Sequence, residues 1–103
     1  MGITIWLEDW KRNQIGNVAG DPQNLLHRLL PLVAHDSCLM LSYIDWYGYT
    51  VFNHAQMVRL KRELVDVTPL CVNQSERDLV AQIQDLVETG IATPLQYLVF
   101  DGD

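Results

Sequence analysis

Apolar and polar positions alternate without a break over "ITIWLEDW", residues 3–10: Ile3, Ile5 and Leu7 fall on one side, Thr4, Trp6 and Glu8 on the other. That period of two predicts a half-buried strand. The next stretch, "KRNQIGNVAGD" over residues 11–21, is rich in Asn and Gly and reads as a loop. Asp21-Pro22 then has the chemistry of a helix start, Asp as N-cap and Pro at the first helical position. Leu25, Leu26, Leu29, Leu30 and Val33 recur at helical spacing, and Pro31 should end or kink that helix near Leu30.

"HDS", residues 35–37, reads as a turn. "CLMLSYID", residues 38–45, is an apolar run suited to an internal strand, and "YTVF", residues 49–52, is a further strand. Asn53 and Gln56 form a capping-box pattern ahead of Met57, Leu60, Leu64 and Val67. "TPLCV", residues 68–72, is a connector. Asn73 with Glu76 caps a last helix with Leu79, Val80, Ile83, Leu86 and Val87 on its apolar stripe, and Gly90 suits the position past its end. "PLQYLVF", residues 94–100, closes the chain as a strand.

The order is β-α-β-β-α-α-β, a small α+β domain spanning residues 1–103, with three helices on a sheet of about four strands built around a central antiparallel hairpin. The hairpin turn is Asp45-Trp46-Tyr47-Gly48. Asp suits the first position of a type I turn, and Gly48 in the left-handed conformation would form a bulge. Such a turn accounts for Asp45 and Gly48 but does not require Trp46 and Tyr47. Either these rings project as a contact tip or they fold back onto the sheet.

The chain has 103 residues and a net charge of −6, which argues against nucleic-acid binding, since phosphate recognition needs clustered Lys and Arg. The one basic cluster, Arg59, Lys61 and Arg62, reads as a solvated helix face. Cys38 and Cys71 fit no metal or redox spacing and sit among apolar residues, so reduced core thiols in a cytoplasmic protein are expected. No secretory signal is evident, and no apolar run reaches the roughly 20 residues a membrane span needs. His27, His35 and His54 are poorly spaced for a metal, and no cofactor motif is present. Acidic residues gather near strand ends: Glu8, Asp9, Asp45, Asp101 and Asp103. Together those ends would make an acidic rim.

"YIDWYGYTVFNHAQMVRLKREL" and the closing "YLVFDGD" resemble small uncharacterised bacterial proteins that carry an IDxYGxTxFN…Q…L…EL core and a YLxFxGD strand. The resemblance covers residues 39–103, with Trp46 and Tyr49 standing where Pro and an acidic residue are expected. It implies a small bacterial domain and brings no chemistry with it. By size and charge alone, such domains look like immunity proteins of bacterial toxin systems.

The leading reading is a non-enzymatic domain that binds a protein partner, in particular an immunity protein steered to a basic toxin by its charge. Its contact residues would be Trp6, Glu8, Asp45, Trp46, Tyr47, Asp101 and Asp103. Two alternatives stand beside it: a small enzyme or ligand-binding domain using Asp45, Asn53 and His54, and a structural homodimer closed through an exposed sheet face.

Overall fold

The computed structural model describes residues 2–30 and 39–102. The elements are β1 (Ile3–Glu8), β2 (Gln14–Asp21), α1 (Leu25–Leu29), β3 (Tyr49–Phe52), α2 (His54–Val67), α3 (Gln74–Ala92) and β4 (Tyr97–Gly102). The four strands form one antiparallel sheet in the order β2-β1-β4-β3. The α+β class, the four strands and the three helices agree with the sequence reading. The place of the second strand does not.

Residues 14–21 are a strand rather than a loop. The alternation is hidden because the five residues of β2 from Ile15 to Ala19 face only three of β1, Ile5 to Leu7. The excess is a bulge, eased by Gly16 at φ 69°. Either side of it, Ala19 and Asp21 are buried and Ile15 packs on the core, so β2 has an inner face after all.

Residues 38–45 do not form a strand where they are described. Leu41–Tyr43 is a 3-10 turn, and the residues buried around it, Met40, Leu41 and Ile44, follow helical spacing rather than alternation. A short apolar run fits either state. The expected hairpin between this segment and 49–52 is therefore absent, and β3 pairs with β4 instead. The tight hairpin of the fold joins β1 to β2. Its turn has Asp9 at the first position, accepting from the Lys11 and Asn13 N–H groups, and Arg12 at φ 68° in the left-handed position.

The two long helices start where the caps predict. Asn53 and Gln56 make a reciprocal capping box, and Asn73 accepts from the Glu76 N–H. α3 does not stop at Gly90, which is buried inside it. A Cβ there would lie 2.7 Å from Met57 Sδ and 2.9 Å from Leu7 Cδ2, so the glycine serves close helix–sheet packing rather than a C-cap. α1 begins three residues later than Asp21-Pro22 suggests. Asp21 still caps it, accepting from Leu25 N–H at 2.8 Å and Leu26 N–H at 2.9 Å. The helix ends at Leu29, with Leu30 as its C-cap. Pro31, Val33, the 35–37 turn, His35, Cys38 and Asp103 lie outside the described residues.

One core joins the helices to the inner face of the sheet, through Ile3, Ile5, Leu7, Leu98, Phe100 and Phe52 among others. Phe52 and Phe100 meet edge to face at 5.6 Å.

Candidate functional site

All three described helices contribute to the core on the Ile3/Ile5/Leu7 face. The strand register therefore sets out the opposite face in rows. Thr4, Asp101 and Tyr49 lie side by side, then Trp6, Val99 and Val51, then Glu8 and Tyr97. Trp6 and Tyr49 meet edge to face at 6.2 Å, and the Trp6 indole N–H donates to Glu8 at 2.9 Å. Val99 is only 1% exposed although it lies on this face and outside the main core cluster. Tyr49 and Val51 remain 62% and 50% exposed. Among the described residues this face is an aromatic and aliphatic patch with a carboxylate toward each end, Asp101 and Glu8.

The 45–48 turn adjoins the Asp101 end. Gly48 N–H approaches the Asp45 carbonyl, Tyr47 N–H donates to Asp45 Oδ1 at 2.9 Å, and Asp45 N–H donates to Thr50 Oγ1 at 2.7 Å. The turn is the expected one, but Gly48 is not left-handed; of the described glycines only Gly16 has positive φ. The chain enters this turn from a 3-10 segment, not from a hairpin strand, so no bulge is called for. A Cβ at 48 would lie 2.8 Å from Asp45 Oδ2, so a larger residue there would have to move that carboxylate.

Trp46 and Tyr47 part company. Trp46 is half-buried, packs on the core and meets His27 of α1 edge to face at 4.8 Å. Tyr47 is 72% exposed. The 45–52 segment and β4 are neighbours here, joined by the β3–β4 pairing and by a 2.8 Å bond from Gly102 N–H to the Gly48 carbonyl.

The acidic rim does not close. Asp45 and Asp101 lie at one end of the sheet, while Glu8 and Asp9 lie at the other, where Glu8 pairs with Tyr97. Three buried acids serve the backbone; the cap spacing marks Asp21 and Glu76, but nothing along the chain marks Glu63. Asp21 caps α1. Glu63 accepts from Met40 and Leu41 N–H at 2.9 and 3.0 Å, and Glu76 accepts from Val72 N–H at 2.8 Å while pairing with Arg28. Of the basic cluster, Arg59 pairs with Glu63 and Lys61 with Glu88.

Asp45, Asn53 and His54 do not converge. Asp45 is engaged in its turn and Asn53 in its cap, and His54 Nε2 contacts the Ile91 carbonyl at 2.9 Å. Two clefts along α3, of about 470 and 240 Å³, are lined by none of the three. No group of three or more His, Cys, Asp or Glu among the described residues is arranged to hold a metal ion, and no described helix is long and apolar enough to cross a membrane. Cys71 is free but half-buried rather than fully buried, and burial raises its thiol pKa while the Arg77 charge pulls it back.

The fold and surface define the class: an antiparallel α+β domain with one helix-covered face and one face open among the described residues. Comparison with models of known protein families, with curated proteins and with solved structures finds no match.

Proposed function

We propose that this chain is a protein-binding domain that grips its partner with the open face of the sheet. The observation that carries the reading is the exposed pair Tyr49 and Val51 beside half-buried Trp6, laid over the buried Val99, with Asp101 and Glu8 toward the two ends of this apolar patch. Aromatic anchors within a polar rim are the anatomy of a contact surface. The net charge of −6 favours a basic partner. A bacterial toxin neutralised by this domain is the particular partner that its size and charge support. Tyr47 and Asp45 extend the surface at the Asp101 end. Free Cys71 supports a reducing, cytoplasmic setting for this role.

The test compares the wild-type chain with Val51→Lys as baits in the cells that make the protein. A basic protein retained by the wild type and lost by the variant, at equal melting temperature, supports the proposal. Equal retention by both baits overturns it. Sedimentation of the isolated chain decides the homodimer alternative: a wild-type dimer that Val51→Lys dissociates would assign the face to a second copy instead.

A further inference from the structure

A second surface lies on the far side of the molecule from β3. β2 is an edge strand, paired only with β1 among the described strands. Beside it runs α3, and the two clefts noted above meet end to end along this seam, sharing Gln82. The larger has Leu7, Ile15 and Leu86 in its lining, with Asp85 and Thr89 from α3. The smaller adds Ser75 and Asp78. Asp78, Gln82 and Asp85 recur at helical spacing, so one face of α3 supplies a polar wall.

We propose that this seam binds an extended cationic peptide segment, added as a further strand on the free edge of β2. Two observations choose that occupant. An edge strand offers a row of backbone donors and acceptors to an incoming strand, and a helix lying beside that edge supplies side-chain pockets. The residues lining both clefts include Asp78 and Asp85 but no Lys or Arg. Asp21 also lines the smaller cleft, but both its oxygens are engaged in capping α1, so the exposed Asp78 and Asp85 set the charge that a ligand meets.

The seam also sets the length of the occupant. From Ser75 to Thr89, α3 rises about 21 Å at 1.5 Å per residue, which is roughly six residues of extended chain. Side chains of an added strand alternate, so Lys or Arg at every second position would face Asp78 and Asp85, and the intervening residues would continue the open sheet face. This surface is separate from the Trp6–Tyr49 patch, and the proposal stands or falls independently of the protein-binding reading given above.

The test is an NMR titration of the full chain with an acetylated, amidated peptide of about eight residues that alternates Lys with Val and Thr. Two control peptides carry Glu in place of Lys, or N-methyl groups on alternate backbone nitrogens. The expected result is shifts confined to β2 and to the 75–89 face of α3. Neither control should bind comparably, and the Asp78→Lys/Asp85→Lys double variant should lose about tenfold or more in affinity without a change in melting temperature. Binding by the N-methylated peptide equal to that of its parent would mean that charge alone attracts it, and would overturn strand addition. Shifts centred on Trp6 and Tyr49, or none at millimolar peptide, would overturn the site.

Discussion

Gly102 lies against the main chain of Trp46: a Cβ at residue 102 would overlap the Trp46 carbonyl. The end of β4 is thereby pressed onto the turn that leads into β3, and the bond from Gly102 N–H to the Gly48 carbonyl holds it there. Gly102→Ala should therefore destabilise the domain by about 1–3 kcal/mol, the usual range for forcing atoms into a filled space. Urea unfolding measures this. An alanine variant as stable as the wild type would mean that the turn and the strand are not in contact.

Glu63 should matter as much as a core residue. Its carboxylate is buried and receives the N–H groups of Met40 and Leu41. Glu63→Ala leaves both donors without their acceptor and should cost roughly 2–4 kcal/mol. Glu63→Gln keeps one acceptor oxygen and should cost less. Amide exchange at Met40 and Leu41 should quicken in both variants, alanine more than glutamine. Unchanged exchange in Glu63→Ala would rule out this anchoring of the 3-10 turn.

These two contacts also mark how far the fold could be read from the sequence. The long helices were legible because a cap is local: Asn53 with Gln56, and Asn73 with Glu76, announce themselves over three residues. The alternation of Ile3, Ile5 and Leu7 is local too, and it placed Trp6 on the opposite face. Glu63 lies 23 residues from Met40, so no pattern along the chain links them. β2 was missed because its bulge breaks the period of two. Gly90 was misread because a helix-ending glycine and a close-packing glycine look alike until Met57 and Leu7 are brought against it. Val99 joined the candidate surface only through strand register, which pairs it with Trp6 on one side and Val51 on the other.

Trp46 and Tyr47 should separate in mutagenesis. Trp46 is part of the packed structure and braces α1 through His27, so Trp46→Ala should lose about 2–4 kcal/mol, somewhat less than a fully buried tryptophan. Tyr47 stands in water, and Tyr47→Ala should fall within about 0.5 kcal/mol of the wild type. Melting curves of the two variants decide it. If Trp46→Ala melted with the wild type, the ring would be free of the core.

Cys71 should react slowly with iodoacetamide at neutral pH, since burial raises its pKa and the thiolate is the attacking form. The Arg77 charge opposes that shift, so Arg77→Gln should raise the pKa further and slow alkylation at a given pH. Linkage adds a stability effect at alkaline pH. The unfolded thiol ionises first, so stability present below its ordinary pKa should fall as pH rises from there toward the raised folded value. Rate profiles of the two proteins with pH, on a Cys38→Ala background, measure the order. Faster alkylation in Arg77→Gln would reverse the assigned sign.

The open face of the sheet gives the sharpest separation between stability and binding. Tyr49 and Val51 lie on the edge strand and expose most or half of their surface, so Tyr49→Ala and Val51→Lys should each stay within about 0.5–1 kcal/mol of wild-type stability. Trp6→Ala should cost more, because Val99 lies next to Trp6 in register and is buried on the same face. Against a bound partner, Tyr49→Ala should lose about 2 kcal/mol or more through faster dissociation, as truncation of an aromatic anchor does. Asp101→Lys should act on the other rate: charges toward the ends of the patch steer a basic partner, so reversal should slow association and flatten its salt dependence. Glu8→Lys should do the same, and because it also removes the acceptor of the Trp6 indole it should speed dissociation as well. Surface plasmon resonance at two ionic strengths separates the two effects. Charge reversals that changed only dissociation, together with a Tyr49→Ala variant that bound like the wild type, would remove the sheet face as the contact surface.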